Sequence, residues 1–311
     1  MPEIVISEFM DEAAVARLSA RHDTLYDPDL VERSDDLAAA LGGTKALVVR
    51  NRTKVTAALL DAAPDLQCVG RLGVGLDNID LDACAEHGVT VYPATGANDV
   101  AVAEYVVSAA LVLLRGAYHR SADIAAGKWP RQAMIGRETM GKRLGLVGFG
   151  SIAREVAKRA RVLGFEIAAS DPFLAETDPA WKDATRLDLD RLLATSDVVS
   201  LHVPLTPGTR HLIDASAVAR MKPGAILINT ARGGTVDEAA LAESLRAEKL
   251  GGAALDVFET EPLTAEAGRI FDGLSNVILT PHIAGVTEEA NVRVSALTAE
   301  NVLNHLSGSK A

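Results

Sequence analysis

The sequence is poor in cysteine and has no long apolar run, and each shortage excludes a class of protein. Cys68 and Cys84 are the only cysteines in 311 residues, too few for a disulfide framework and without metal-ligand spacing around either. Both are expected to be reduced core residues, and no metal site is predicted. No apolar run reaches the roughly 20 residues that a membrane-spanning helix needs, so no membrane partner is expected.

Positive charge is also in short supply. Lysine and arginine number 31 against 42 aspartates and glutamates, which gives a formal net charge of -11. Nucleic acids and anionic membranes require a basic footprint that this composition does not provide, so an anionic small molecule would have to meet locally clustered arginines. The first residues, MPEIVISEFM, are too short and too acidic for a signal peptide, and the cytoplasm is the expected location.

Short runs rich in Val, Ile and Leu alternate with Ala-rich helical patterns along almost the whole chain. The runs are EIVIS, ALVVR, LQCVGR, VTVYP, LGLVG, FEIAAS, DVVSLHV, AILINT, GAALDV and NVILT. This alternation predicts an α/β protein with parallel sheets. At 311 residues and 48% hydrophobic content, the chain is long enough for two domains, each with its own core.

The domain boundary is predicted from two long helical segments, because the sequence contains no internal repeat and no Pro/Gly/Ser-rich linker. These segments run from Asn98 to about Gly116 and from about Thr287 to Leu306. If each carries the chain between domains, residues 1–97 and 286–311 form one domain and residues 98–285 the other. Both are expected to be doubly wound and Rossmann-like, with a ligand cleft between them at the carboxyl ends of the strands.

A dinucleotide fingerprint lies at the start of the second predicted domain, in RLGLVGFGSIA. Gly148 permits the tight turn, Gly150 lets a pyrophosphate approach the backbone, and Ala153 is small enough to keep the helix close to the strand. The next strand, FEIAAS, ends at Asp171, about 20 residues further on, where an acidic side chain can accept hydrogen bonds from both ribose hydroxyls. A carboxylate there repels a 2'-phosphate, so the predicted cofactor is NAD.

Three polar residues follow later strand-like runs, namely Arg232 in NTARGG, Glu261 in DVFETEP and His282 in LTPHIAG. Each taken singly is compatible with an ordinary structural role, but strand ends of one parallel sheet share an edge. Together they supply a forked guanidinium for a carboxylate, an imidazole that exchanges protons near neutral pH, and a carboxylate that favours the imidazolium and orients it.

At these residues the sequence resembles the D-isomer-specific 2-hydroxyacid dehydrogenases, in particular their phosphoglycerate-dehydrogenase-like branch. The resemblance covers nearly the whole chain and includes RLGVGLDNIDLDAC, GLVGFGSIAREVAKRA, LHVPLTPGTRHLI, INTARGGTVDEAAL, AALDVFETEP and LTPHIAG. It implies an NAD-dependent oxidoreductase that moves a hydride between nicotinamide and a small D-type 2-hydroxy acid or 2-keto acid. Arg232 would bind the substrate carboxylate and polarise its carbonyl, His282 would be the general acid/base, and Glu261 would hold and tune that histidine.

The resemblance also assigns binding roles to further residues. Residues 1–97 plus 286–311 would be a flavodoxin-like substrate domain, and residues 98–285 the NAD-binding Rossmann domain. The backbone amides expected on the substrate carboxylate belong to Gly73, Val74 and Gly75, although a plain glycine turn remains an alternative interpretation there. Besides the glycine turn and Asp171, the expected cofactor contacts are Ser151, Ile152, His202, Val203, Thr230 and Asp256, the last of them toward the nicotinamide carboxamide.

A cluster of cations indicates a second anionic group on the substrate. Arg50 and Arg52 follow the strand ALVV, and Arg71 precedes the glycine loop; ordinary strand-end solvation is the alternative. The resemblance implies that Arg52 contacts the distal anion, joined by Arg131 of the KWPR stretch from the neighbouring subunit of a homodimer. The two candidate substrates are 3-sulfolactate and 3-phosphoglycerate.

Three other functions are alternatives to this one. An NAD-sensing, corepressor-like binding module shares the fold, but it would carry flexible tails and a peptide-docking cleft that the sequence does not indicate. A 2-hydroxyacid dehydrogenase or glyoxylate/hydroxypyruvate reductase for a monoanionic substrate would leave the arginine cluster unused. A formate-dehydrogenase-like enzyme would have glutamine in place of Glu261, because its chemistry needs no proton relay.

Overall fold

The structure is a computed structural model that describes residues 1–308, with the side chain of His119 left out. The chain divides into two compact units. One unit contains residues 1–98 and the chain from Val286 onward, and the other contains residues 99–285. Each unit is built on a parallel sheet, so the α/β class predicted from the alternating apolar runs is confirmed.

The first unit contains a five-stranded parallel sheet in the order β2-β1-β3-β4-β5, which is the flavodoxin-like order. Its strands are β1 (Ile4–Ile6), β2 (Thr24–Tyr26), β3 (Ala46–Val49), β4 (Cys68–Arg71) and β5 (Thr90–Pro93). Its first helices are α1 (Glu12–Ser19), α2 (Ser34–Ala40), α3 (Ala57–Asp61) and α4 (Leu81–Glu86). Every residue of β1 and β3 is buried, as expected for a sheet that is covered on both faces.

Two hydrophobic clusters form the core of this unit, one containing Ile4 and Val48 and the other Val5 and Val49. Neighbouring strand residues point to opposite faces of a sheet, so the two clusters cover its two sides. Cys68 and Cys84 are buried free thiols, and burial raises the pKa of Cys68 to about 12. The prediction that both are reduced core residues is therefore confirmed.

The second unit contains a seven-stranded parallel sheet in the order β12-β11-β10-β9-β6-β7-β8. Its strands are β6 (Arg143–Val147), β7 (Glu166–Ser170), β8 (Thr185–Arg186), β9 (Val198–Leu201), β10 (Ile226–Asn229), β11 (Gly252–Leu255) and β12 (Val277–Leu279). The order reverses between β6 and β9, and such a switch point is where doubly wound sheets bind ligands. The carboxyl ends of β6, β9, β10, β11 and β12 therefore share one edge of the sheet.

The helices of the second unit cover both faces of its sheet. They are α5 (Asp99–Arg115), α6 (Ser121–Ala125), α7 (Ser151–Val162), α8 (Leu189–Thr195), α9 (Ala215–Arg220), α10 (Glu238–Arg246) and α11 (Ala265–Gly268). The chain then returns to the first unit through α12 (Glu288–Leu306). Short 3-10 turns occupy Leu30–Glu32, Tyr118–Arg120, Gln132–Met134, Pro179–Asp183 and Arg269–Phe271. Within residues 1–308, no helix combines the length and the apolar character needed to cross a membrane.

One long segment of the second unit lies outside its core. Between α5 and β6, residues 116–142 contain no buried side chain among those that the structure describes. Trp129 is 75% exposed and Ile135 is 74% exposed, which is unusual for side chains with so much apolar surface.

Candidate active site

The glycine turn after β6 packs directly on the chain that follows β9. Gly148 has a φ of +86°, and a Cβ placed on it would lie 2.7 Å from the carbonyl oxygen of His202 and 3.1 Å from Cγ1 of Val203. Only glycine combines that backbone angle with so close an approach. The fold therefore brings Gly148, His202 and Val203, all predicted cofactor residues, to the switch point of the sheet.

Asp171 directly follows β7 and is bonded to the glycine turn. Its Oδ2 accepts the backbone N–H of Phe149 at 2.9 Å, and its Oδ1 accepts the N–H of Phe173 at 2.9 Å. A carboxylate oxygen accepts two hydrogen bonds, so each oxygen keeps one acceptor position for a hydroxyl group. These two bonds fix the carboxylate at the carboxyl edge of the sheet beside the turn.

The residues around this edge fit a dinucleotide. Helix α7 begins after Gly150 with no side-chain cap on its N-terminal amides, and a Cβ on Gly150 would meet no atom within 4 Å. A phosphate group satisfies such amides and the positive end of the helix dipole. Thr230, after β10, has a buried Oγ1 with no hydrogen-bond partner among the described residues, a position where a ligand can complete the bonding. Ser151 and Ile152 form the first turn of α7.

The imidazole of His202, which lies beside the glycine turn, is neutral. Burial lowers the pKa of His202 to about 4, and its Nε2 lies 3.0 Å from Oγ of Ser200. Because it carries no charge near neutral pH, this side chain adds no positive potential beside the predicted NAD site.

A tight turn after β10 presents Arg232. Asn229 is buried at the end of the strand, and its side chain donates to the Arg232 carbonyl at 3.0 Å and accepts the Ala231 N–H at 3.1 Å. A Cβ on Gly233 would lie 1.6 Å from the carbonyl oxygen of Phe258. Glycine at this position therefore lets the turn after β10 lie against the turn after β11, which carries Glu261.

Glu261 and His282 form a hydrogen-bonded pair. Oε2 of Glu261 lies 2.8 Å from Nδ1 of His282, and Oε1 accepts the Phe258 N–H at 3.0 Å. Burial acts to raise the pKa of Glu261, but the bonds from His282 and Phe258, with the charges of His282 and Arg232, hold it below its usual value. Because a carboxylate only accepts, Nδ1 donates, and Nε2 is the nitrogen that can exchange a proton with a substrate.

Asp256, the residue after β11, is 1% exposed. Its carboxylate accepts the backbone N–H groups of Ile283 at 2.8 Å and Ala284 at 2.7 Å, on opposite oxygens. The structure thus gives this side chain a role in holding the loop that carries His282, which the sequence did not indicate. Its contact with the nicotinamide carboxamide stays a prediction.

The glycine loop of the first unit follows β4. Gly73 has a φ of +143°, and a Cβ on it would collide with the Arg71 guanidinium at 1.5 Å. Its N–H already donates to the Arg71 carbonyl at 2.8 Å, so this amide is engaged in the described conformation. Val74 and Gly75 are left as the better candidates among the three amides that the sequence assigns to a substrate carboxylate.

A buried carboxylate shapes the loop that follows β3. Glu8 is 4% exposed, and it accepts the backbone N–H groups of Arg50 at 2.8 Å and Thr53 at 3.0 Å on one oxygen, and of Arg52 at 3.1 Å on the other. The N–H of Asn51 donates to the same carboxylate at 3.3 Å. Since Glu8 takes up these amides, the loop offers guanidinium groups rather than backbone N–H groups to an anion.

The two arginines of this loop differ in their partners. The Arg52 guanidinium, 57% exposed, forms an ion pair with Glu32. Arg50 donates to Oδ1 of Asn291 at 2.9 Å and lies 5.9 Å from the centre of the Phe9 ring. Within residues 1–308 it makes no ion pair with a carboxylate, and burial lowers the pKa of its guanidinium although the charge of Glu8 acts the other way. Arg50 is therefore a candidate anion ligand that the sequence interpretation passed over in favour of Arg52.

Arg131 lies in the exposed segment between α5 and β6. Its N–H donates to the Trp129 carbonyl at 2.9 Å, and its side chain is exposed. A contact between Arg131 and a neighbouring subunit stays a prediction.

Comparison with known proteins identifies the family to which the chain belongs. Residues 107–284 match the NAD binding domain of the D-isomer specific 2-hydroxyacid dehydrogenases. This match covers more than half of the chain, and the chain belongs to that family. The protein is an NAD-dependent oxidoreductase of the 2-hydroxyacid dehydrogenase type.

Three relatives illustrate the range within the family. The chain is 56% identical over 303 residues to an (S)-sulfolactate dehydrogenase of Chromohalobacter salexigens, covering 97% of both chains. It is 41% identical to a D-3-phosphoglycerate dehydrogenase of Archaeoglobus fulgidus over 85% of this chain and 50% of that protein. The crystal structure of a glyoxylate reductase from Paecilomyes thermophila superimposes with a TM-score of 0.87 at 29% identity, covering 99% of this chain and 96% of that chain.

Proposed function

We propose that this enzyme interconverts a dianionic 2-hydroxy acid and the corresponding 2-keto acid, with His282 as the general acid/base, Glu261 as its partner and Arg232 as the carboxylate ligand. The observation that carries these roles is the 2.8 Å bond between Glu261 and Nδ1 of His282. Because Nδ1 is bonded to Glu261, Nε2 is the ring nitrogen that can face a substrate. It lies at the same edge of the sheet as Arg232. The substrate class rests on the arginine loop after β3 and on the sulfolactate dehydrogenase relative.

The three side chains divide the work of the reaction. NAD, when bound, accepts or supplies the hydride. His282 takes the hydroxyl proton during oxidation and returns one to the carbonyl oxygen during reduction. The forked guanidinium of Arg232, whose Nη1 donates to the Ala231 carbonyl at 2.6 Å, would present two parallel N–H groups to a planar carboxylate and so orient the adjacent carbon that reacts. Glu261 carries the negative charge that favours the imidazolium form between turnovers.

Replacing Glu261 by glutamine should move the pH profile of keto-acid reduction. Burial acts to raise the pKa of Glu261, but the bonds from His282 and Phe258 hold that pKa below its usual value. The side chain therefore stays ionised. Reduction requires the imidazolium of His282, and glutamine removes the charge that favours it. The pH at which kcat/KM declines on the alkaline side should therefore fall relative to that of the parent enzyme.

Glu259→Gln is the matched control for this profile. Glu259 lies in the same turn, but its carboxylate is 3.3 Å from His211 and accepts the Glu238 N–H. The control should keep the parent pH dependence of kcat/KM. If Glu261→Gln also keeps it, Glu261 has no part in the proton transfer.

The distal anion is assigned to the arginines of the loop after β3 and to Arg131. Arg50 is the strongest candidate, since its half-buried charge is bonded to the neutral Asn291 side chain, and an anion would offset the cost of that partial burial. Arg52 would have to exchange Glu32 for the substrate.

Of the two dianions, we propose 3-sulfolactate, because the sulfolactate dehydrogenase relative is 56% identical to this chain. Since sulfur at C3 outranks the carboxylate, its S enantiomer has the spatial arrangement of a D-2-hydroxy acid.

A substrate panel tests this assignment. kcat/KM for NAD reduction should be highest with (S)-sulfolactate, lower with D-3-phosphoglycerate and at least roughly a hundredfold lower with D-lactate, because charge-assisted hydrogen bonds each contribute about 1.5–3 kcal/mol. Arg50→Ala, Arg52→Ala and Arg131→Ala should each penalise the dianions by roughly tenfold or more and leave lactate within about threefold.

Arg33→Ala serves as the control, because Arg33 is an exposed arginine of the same unit that pairs with Asp27 and Asp36. It should leave all three substrates unchanged. A parent enzyme that prefers lactate, or equal losses for all substrates in the three variants, would reject the dianion assignment. High activity with glyoxylate or hydroxypyruvate in the reductive direction would instead identify a monoanionic substrate.

We propose in addition that the enzyme is a cytoplasmic homodimer. The exposed segment 116–142 supports the dimer, since it carries Tyr118, Trp129, Ile135 and Met140 at 65% to 75% exposure. Exposed apolar side chains that occur in one segment are the kind of surface that a protein interface would cover, and a two-fold axis would bring each copy of the segment to the other. Arg131, in the same segment, would then reach the neighbouring subunit's substrate.

A further inference from the structure

The loop that carries His282 is fastened to the buried residue Asp256. The Asp256 carboxylate accepts the N–H groups of Ile283 at 2.8 Å and Ala284 at 2.7 Å. The backbone carbonyl oxygen of Asp256 accepts the His282 N–H at 2.8 Å. His282 itself has a φ of +55°, a left-handed conformation that a non-glycine residue keeps only where its surroundings enforce it. The position of the catalytic imidazole therefore depends on how firmly Asp256 is held.

One hydroxyl group is bonded to the carboxylate, and a second hydroxyl group is bonded to the first. Oγ1 of Thr280 donates to Oδ1 of Asp256 at 2.6 Å, and the hydroxyl oxygen of Tyr105, in α5, lies 2.5 Å from the same Thr280 Oγ1. A threonine hydroxyl has one proton. Because that proton goes to Asp256, the Tyr105 hydroxyl must be the donor in its contact with Thr280.

Tyr105 is suited to act as a permanent donor. Burial raises the pKa of its hydroxyl above the ordinary value, the bond to Thr280 acts in the opposite direction, and the charge of Asp256 adds to the rise. The phenol therefore keeps its proton throughout the working range of the enzyme. All hydrogens in the chain from Tyr105 to Thr280 to Asp256 then point toward the carboxylate, and aligned hydrogen bonds strengthen one another in a buried setting.

We propose that Tyr105 is a positioning residue for His282, acting through the Thr280 hydroxyl and the Asp256 carboxylate. This inference rests on the proposed role of His282 as the acid/base. Tyr105 lies on a helix that starts the second unit, far from His282 in sequence, and it fixes the loop rather than touching substrate. Removing the hydroxyl frees Thr280 to rotate, loosens one of the bonds to Asp256 and lets the imidazole leave its productive position.

The test is Tyr105→Phe, which deletes one oxygen and keeps the aromatic ring in the core. With NADH saturating, kcat for keto-acid reduction should fall about fivefold, as expected for the loss of one hydrogen bond, while KM for the keto acid and Kd for NADH stay within twofold. Thr280→Val removes both hydroxyl bonds and should lower kcat roughly fiftyfold. Thr280→Ser, which restores the hydroxyl, should return kcat to within threefold of the parent.

The matched control is Tyr92→Phe. Tyr92 is a half-buried tyrosine of the first unit whose hydroxyl lies 3.1 Å from Nδ1 of His305, so this variant also loses a single phenol bond. It should leave kcat unchanged. A readout independent of turnover is the NMR signal of ring-labelled histidine, assigned to His282 by its absence in His282→Ala. Tyr105→Phe should shift or broaden that signal, and Tyr92→Phe should not.

The outcomes separate this inference from the proposed function. If His282→Ala is inactive while Tyr105→Phe and Thr280→Val keep parent kcat and an unchanged His282 signal, the positioning role is overturned and the acid/base role stands. If His282→Ala keeps parent turnover, the acid/base role itself fails. Equal loss of melting temperature in Tyr105→Phe and Tyr92→Phe, with kcat lowered in neither, would reduce Tyr105 to an ordinary core residue.

Discussion

Replacing His282 by alanine is expected to lower kcat between about a hundredfold and ten-thousandfold, the range that general acid/base catalysis contributes. The imidazole is the proton carrier, and its Nδ1 is bonded to Glu261 at 2.8 Å, so no other group in that pair can replace Nε2. NADH binding should persist within about threefold, because the glycine turn and Asp171 are untouched. Steady-state kinetics and NADH fluorescence titration measure the two quantities.

His305→Ala is the control for this substitution. His305 lies in α12 of the first unit and contacts Tyr92, so it removes the same side chain at a position with no proposed chemistry. It should leave kcat within twofold of the parent. Near-normal turnover in His282→Ala would mean that another group transfers the proton, and the roles of His282 and Glu261 would both be withdrawn.

The second large effect concerns the choice between the two nicotinamide cofactors. NAD should be preferred over NADP in kcat/KM by roughly a thousandfold, because a 2'-phosphate next to a carboxylate in a partly buried site costs about 4 kcal/mol per pair of charges. The amides of Phe149 and Phe173 hold the Asp171 carboxylate in place at 2.9 Å each. It therefore has little freedom to move away from a phosphate.

Asp171→Ala should reduce the ratio of kcat/KM with NAD to kcat/KM with NADP at least roughly thirtyfold, mainly by weakening the binding of NAD. Asp171→Asn, which removes the charge and keeps most of the shape, guards against a loss caused by misfolding of the glycine turn. Asp188→Ala is the control, since Asp188 is another carboxylate of the same unit that caps a backbone N–H, that of Arg191 at 2.8 Å. Parity between NAD and NADP in the parent enzyme would remove Asp171 from cofactor selection.

Hydrophobic patterning predicted most of the architecture because burial leaves a direct trace in the sequence. Each of the ten apolar runs overlaps a strand of the two parallel sheets. The strands that the pattern missed are Thr24–Tyr26, which is half-buried, and Thr185–Arg186, which is exposed. Both are short and lie at sheet edges, where one side needs no apolar partner. The two long helices, observed as Asp99–Arg115 and Glu288–Leu306, lie within about one residue of the predicted segments.

The sequence by itself also determined which residues could meet at the active edge. Strands of a parallel sheet end on one side, so Arg232, Glu261 and His282 could be grouped from their positions after apolar runs. Only the tertiary structure decided how side chains pair. It joins Arg52 to Glu32 and leaves Arg50 with Asn291, and it brings Tyr105 to Thr280 across 175 positions of sequence. Periodicity encodes which face of an element is buried, whereas a hydrogen-bond partner depends on the packing of segments remote in the chain, and no local pattern records that.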